Sequence, residues 1–169
     1  MPKRKKATPA EVRALAHPLR LRIIRELYDG PRSNKELATA LGEDPATVLY
    51  HVRTLSRTGF VKPAGTRPGA RGSTEKLYRS TGKSWKVDVD IALPESSSVR
   101  RAALDAFIAE VGAAGANADL TTARLALKIS PERLDELGHR IDALLDEYAM
   151  HDDPDGEPWA VFFALHRRA

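Results

Sequence analysis

The sequence predicts an α+β protein, and three observations carry that prediction. Two short amphipathic helical stretches within residues 33–58 are separated only by a turn at Leu41, Gly42 and Glu43. Two short strand-like runs follow, on either side of a Gly- and Pro-rich loop at residues 65–74. Beyond residue 84 the apolar residues alternate between a period of two and a helical period, reading strand-helix-strand-helix-strand.

The first helix is expected over residues 9–16 and is interrupted at His17 and Pro18, where Pro fits the start of a new helix. In that second helix Leu19, Ile23, Ile24 and Leu27 share one face, and Asp29, Gly30 and Pro31 end it. Ser33 reads as an N-cap with Glu36 as its capping-box partner, opening a helix that carries Leu37, Ala38 and Leu41 and closes at Gly42. Asp44 is the next N-cap and Pro45 the next first position. Val48, Val52 and Leu55 then point to the core, leaving Thr47, Tyr50, Arg53, Thr54 and Arg57 on a face without acids. Two short helices about a tight turn make a helix-turn-helix, whose second helix enters the major groove. The competing interpretation is a plain helical hairpin with a solvated face.

What comes next favours nucleic acid. Phe60, Val61 and Lys62 begin a strand, and Lys76, Leu77, Tyr78 and Arg79 read as its return. The loop between them, residues 65–74, carries Arg67 and Arg71 and no acid. A hairpin with a long basic tip has the shape of a wing, and its arginines suit phosphates or a narrow minor groove. Lys76 adds a cation at its base. A plain surface loop is the alternative.

The run from His17 through Pro18, Leu19, Arg20, Leu21, Arg22, Ile23, Ile24, Arg25 and Glu26 to Leu27 resembles the start of the ArsR-type winged-helix repressors. Ser33 to Gly42 is similar to their next helix. Thr47 to Leu55, followed by Gly59, Phe60 and Val61, is similar to their recognition helix and first wing strand. The resemblance covers residues 9–82 and implies a homodimer on a roughly palindromic operator, most often a repressor. It places Thr47, Tyr50, His51 and Arg53 near DNA. Leu49 departs from the small polar residue common there and either touches a thymine methyl or packs inside. His51 either donates to a phosphate or packs between helices.

Charge supports the division of labour. Residues 1–86 carry 19 Lys and Arg against 7 Asp and Glu, and residues 87–169 carry 8 against 16, so a net charge of +4 hides halves of +12 and −8. The basic half attracts polyanions. Residues 1–8, with Lys3, Arg4, Lys5 and Lys6, read as a disordered basic arm, residues 9–83 as the winged helix-turn-helix domain, and residues 84–169 as a second domain. No apolar stretch follows the basic start and none is long enough for a membrane span, so the expectation is a cytoplasmic, nucleoid-associated protein.

With no cysteine, thiolate metal sites, disulfides and cysteine nucleophiles are excluded. None of His17, His51, His139, His151 and His166 stands at a chelating spacing from another. The run of His151, Asp152, Asp153, Pro154 and Asp155 has the composition of a loop. No metal and no cofactor is therefore expected. Neither a phosphate-binding Gly-rich loop nor a nucleophile elbow is present, which points away from an enzyme.

In the acidic half, Trp85, Val87, Val89, Ile91 and Leu93 alternate as a strand. Val99, Ala103, Leu104, Phe107, Ile108 and Val111 form a helical face; Ala123, Leu125, Leu127 and Ile129 alternate again. Leu134, Leu137, Ile141, Leu144, Leu145 and Tyr148 make a stripe close to a heptad, and Trp159, Val161, Phe163 and Leu165 a last strand. This half is expected to be a small α+β module that dimerises, through the helix from Val99 or the stripe from Leu134. A small-molecule effector pocket lined by Trp85, Phe107, Trp159 or Phe163 is the second role, with ordinary core as the plain alternative. The expected function is a dimeric DNA-binding transcription regulator, a repressor binding double-stranded operator DNA. The alternatives are a sequence-independent nucleoid-associated or RNA-binding protein and, behind it, a protein-interaction module.

Overall fold

Helix starts in this chain follow side-chain chemistry. In the computed structural model, which describes residues 4–90, 93–115, 119–150, 153 and 155–167, α1 (Pro9–Leu15) begins with a reciprocal capping box between Thr8 and Glu11. α2 (Pro18–Glu26) is capped by His17, whose Nδ1 accepts from the Leu19 N–H at 3.2 Å. α3 (Asn34–Leu41) opens with the Ser33 and Glu36 box, Ser33 N–H donating to Glu36 Oε2 at 2.7 Å and Glu36 N–H to Ser33 Oγ at 3.3 Å. α4 (Pro45–Arg57) opens with Asp44 Oδ1 accepting from the N–H groups of Ala46 and Thr47. Each cap satisfies donors that a helix start otherwise leaves open. Gly42, at φ +68°, supplies the left-handed residue that closes α3 and turns the chain toward α4.

The core is the one the periodicity marks. Leu19, Ile23, Ile24 and Leu27 of α2, Leu37, Ala38 and Leu41 of α3, and Val48, Val52 and Leu55 of α4 are all buried, together with Phe60 and Val61. Burying a branched apolar side chain is worth roughly 1.5–3 kcal/mol, so the α4 trio alone fixes which face of that helix looks outward.

The wing is a three-stranded antiparallel sheet in the order β2-β4-β3, with β2 (Arg32–Ser33), β3 (Val61–Pro68) and β4 (Thr74–Ser80). β3 runs further than expected, so Gly65 to Pro68, read from composition as loop, belong to the ladder. The register slips between Pro63 and Thr66, where Pro lacks a donor and Gly65 takes φ +103°, and pairing resumes as Thr66 to Lys76, Arg67 to Glu75 and Pro68 to Thr74. The tip shrinks to residues 69–73, closed by Gly69 N–H to Ser73 O at 2.7 Å. Helix, turn, helix and hairpin together make a winged helix-turn-helix within an α+β chain.

The expected disordered arm is corrected for residues 4–8. β1 (Lys5–Lys6) pairs in parallel with β5 (Val87–Asp88), and Ala7 N–H donates to Asp88 O at 2.8 Å. The Arg4 guanidinium stacks 4.3 Å from the Trp85 ring centroid, and Lys6 pairs with Asp90 at 3.5 Å. Basic arm and acidic strand attract each other. The expected strand from Trp85 is correspondingly short: Trp85 sits in α5 (Lys83–Lys86), and Ile91 lies outside the described residues.

The chain divides into two units, residues 4–116 and residues 117–169 with 1–3. α6 (Ser96–Ala114) packs on α1 and α2 and so belongs with the winged helix. Its buried line is Ser96, Ala102 and Ala106, with Val99 half-buried, whereas Leu104 and Ile108 of the expected face point outward. Small residues let two helices approach closely, and that selects the alanine line.

In the second unit α7 (Pro131–Ala149), capped by Ser130, is a helix as expected, but none of its residues is fully buried. Ala123 to Ile129 and Trp159 to Leu165 join no ladder among the described residues, so these two expected strands are corrected. Alternation marks a segment suited to a sheet, but a strand forms only against a partner backbone.

Candidate nucleic-acid interface

The interface starts from how α3 and α4 are held. Asn34 Nδ2 donates to Pro45 O at 2.9 Å, tying the start of α3 to the start of α4. Arg22 Nη2 donates to Leu41 O at 3.3 Å, anchoring the end of α3 to α2. The far end of α4 is gripped by Lys83, which donates to Thr58 O at 2.6 Å, pairs with Glu11, and lies 5.1 Å from the Phe60 ring centroid. Glu11 is held down to about pH 2 by that lysine and by the Thr8 N–H.

On this frame α4 exposes Thr47, Tyr50, Arg53 and Arg57, with no acid between Pro45 and Arg57. Tyr50 is 64% exposed. Thr54 is half-buried, and its hydroxyl donates to Tyr50 O at 3.1 Å and accepts from Arg57 Nη2 at 3.3 Å. Leu49 is half-buried, between its two readings.

His51 takes the packing alternative in the free protein. It is 6% exposed, its ring centroid is 4.4 Å from that of His17, and Tyr50 meets it edge-on at 5.2 Å. Burial first, then the neighbouring His17 and Arg20, push its pKa down to about 4, so it is a neutral imidazole at pH 7. A phosphate contact needs an exposed donor, which this histidine does not offer.

The wing's cations differ among themselves. Arg67 is clamped between Glu36 Oε1 at 2.6 Å and Glu75 Oε2 at 2.9 Å. It therefore joins the wing to α3, and its charge is already neutralised. The same contacts lower Glu36, the Ser33 N–H first and Arg67 second, to about pH 2. Lys76 is exposed, 5.7 Å from the Tyr78 ring centroid. The side chain of Arg71 lies outside the described residues.

Sequence reasoning missed two features. The contact of His17 with His51 joins residues far apart in the chain, and no spacing rule reaches it. Arg20, which carries no signal beyond being a helical arginine, sits one turn after His17 with its Nε enclosed and without an acceptor. Among the described residues no group of three or more His, Asp or Glu is placed to hold a metal ion; His151 and Asp152 lie outside them. Of the aromatics proposed for an effector pocket, Trp85 and Phe107 lie in the first unit and Trp159 and Phe163 in the second. Two clefts, of about 470 and 330 Å³, are lined by none of the four. No described helix is long and apolar enough to cross a membrane.

Residues 15–64 match the family model of a helix-turn-helix domain. None of the curated proteins is significantly similar to the chain. Among solved structures, reduced HlyU from Vibrio cholerae is 21% identical over 59% of this chain and 84% of its own, with a TM-score of 0.34. The adhesin competence repressor AdcR from Streptococcus pyogenes is 15% identical over 77% of this chain and 80% of its own, at 0.34. A single-site mutant of ZitR from Lactococcus lactis is 16% identical over 77% of this chain and 73% of its own, at 0.35. The family match covers the helix-turn-helix of α3 and α4, and the β-hairpin that follows it in the fold makes the wing.

Proposed function

We propose that the protein is a homodimeric, sequence-specific DNA-binding transcription regulator of the repressor type. It lays the helix of residues 44–58 in the major groove and sets the wing of residues 65–74 on the flanking backbone. One observation carries this: α4 presents hydrogen-bonding and cationic side chains, Thr47, Tyr50, Arg53 and Arg57, on an acid-free face backed by fully buried Val48, Val52 and Leu55. Base edges are read by such groups on a rigid helix, and phosphates by cations around it. Thr47 and Tyr50, in the N-terminal half of the helix, and Arg53, just past its middle, take the bases. Arg57 and Lys76 take phosphates. A dimer supplies the second recognition helix that a palindromic site needs.

The test is a titration of fluorescent duplex from upstream of the protein's own gene beside a scrambled duplex, at about 0.15 M salt. A preference on the order of a thousandfold supports a specific regulator. Equal binding to both, repeated across other genomic fragments, favours a sequence-independent nucleoid protein.

A further inference from the structure

We propose that Arg20 is a phosphate-binding residue of the DNA interface, a guanidinium at the start of α2, one turn after the His17 that packs on His51, for which the described residues supply no anionic partner. This rests on the DNA-binding function proposed above and adds a contact from a helix outside the helix-turn-helix pair.

Arg20 is the third residue of α2, in a first turn that contains no acid. A cation there faces the positive end of the helix dipole, which disfavours it. It is also half-buried, and its Nε is enclosed without an acceptor. Enclosing a charged donor without a partner costs free energy that an exposed lysine or arginine avoids. Arg22 has an enclosed, unpartnered Nε as well, but its Nη2 donates to Leu41 O at 3.3 Å, and Arg25 pairs with Glu110 at 3.9 Å. No carboxylate pairs with Arg20 among the described residues.

Its surroundings do not compensate. His17 and His51 are both held neutral, each in part by the charge of Arg20 itself. Tyr50, a neutral phenol at neutral pH, supplies no countercharge to the guanidinium. Burial still leaves an arginine charged at neutral pH.

An anion arriving from outside supplies the missing countercharge to the part of the guanidinium that solvent reaches. The side from which it comes follows from His17, one turn before Arg20: its ring lies 4.4 Å from His51, which meets Tyr50 on the exposed face of α4. A guanidinium takes two oxygens of a phosphate in its fork. The backbone of the helix start is not the ligand: the Leu19 N–H is held by His17 Nδ1 at 3.2 Å, and the Arg20 N–H by His17 O at 3.1 Å. The side chain is therefore the binding group.

A phosphate contact is independent of sequence, so a random-sequence duplex suffices as the probe. The full-length protein, Arg20→Gln and Arg20→Lys are titrated over a range of salt concentrations, and their melting temperatures are measured without DNA. Arg20→Gln is expected to weaken binding by roughly tenfold on any duplex and to lower the salt slope by about 0.9 per protomer, while raising the melting temperature. Arg20→Lys keeps most of the slope. A wild-type slope and affinity in Arg20→Gln overturns the assignment of Arg20 alone, as does a lowered melting temperature with a binding loss that lysine does not rescue. A wild-type protein that binds no duplex overturns the DNA-binding function itself, and Arg20 with it.

Discussion

The imidazole of His51, on α4, lies against that of His17, the N-cap of α2, with ring centroids 4.4 Å apart and planes inclined at 44°. His17 is committed as an acceptor for the Leu19 N–H, and His51 Nδ1 is enclosed without a partner. Neither ring is placed to welcome a proton, and α4 meets α2 through two bases that must stay neutral.

Stability therefore depends on pH in a defined window. The unfolded His51 titrates near 6.5 and the folded one at about 4, so between these values the unfolded chain binds a proton that the folded one refuses. The contribution is fully present above pH 6.5 and is lost as pH falls toward 4, reaching on the order of 3 kcal/mol. His17, shifted in the same direction by burial, adds to it. Urea denaturation at pH 7 and pH 5 should show the loss, and His51→Gln should remove most of the slope. An unchanged slope in that variant would place the titration elsewhere.

Below that window the carboxylates take over. Glu11 and Glu36, both lowered from 4.5 to about 2, contribute stability above pH 4.5 that disappears as pH falls through 2. Lys83 is the partner that matters most for Glu11, and it also donates to Thr58 O. Lys83→Met is expected to cost about 2 kcal/mol, since it removes two charge-assisted hydrogen bonds from a partly buried site. Chemical denaturation at pH 7 checks this, and a neutral result would show that the three elements hold together without the lysine.

Glu36 serves both the Ser33 cap and the Arg67 clamp, and two variants separate the roles. Glu36→Gln keeps a capping acceptor but removes the ion pair, which is exposed and worth less than about 1 kcal/mol. Glu36→Ala loses both, costing about 1 kcal/mol more. Equal stabilities of the two variants would mean that the cap contributes nothing.

At the interface, Tyr50→Ala should erode the preference for the operator over scrambled DNA. Lys76→Gln should weaken both duplexes alike and reduce the salt slope by about one. Competition titrations at several salt concentrations distinguish the two patterns. Intact affinity and preference in Tyr50→Ala would remove α4 from the role of reader.

For assembly, the stripe of α7 has Leu134, Leu144 and Tyr148 exposed, while Leu137, Ile141 and Leu145 are half-buried. If a second copy covers it, sedimentation finds a dimer and Ile141→Asp shifts it to monomer with weaker operator binding. A dimer unaffected by that charge would assign the contact to another element.

Local chemistry made the N-terminal half legible from sequence. Ser33 with Glu36, and Asp44 with Pro45, act within one helical turn of themselves, and the period of Val48, Val52 and Leu55 follows from helix geometry alone. The same local signals misjudged the wing, because Gly65 and Pro68 look like loop until Glu75 and Thr74 arrive opposite Arg67 and Pro68. They also misjudged the acidic half: alternation in Leu125 and Leu127, or in Val161 and Phe163, states what a strand would bury but not which backbone pairs with it.

The sequence by itself determined the helix starts, the core face of each N-terminal helix and the acid-free outer face of α4, because each depends on residues within a turn or two of chain. Tertiary structure alone decided that His51 is buried against His17, that Arg67 is bound to Glu36 and Glu75, and that Lys5 and Lys6 pair with Val87 and Asp88. It also decided that the Nε of Arg20 is enclosed without an acceptor among the described residues. Those outcomes depend on distances across the fold, and a linear pattern does not contain them.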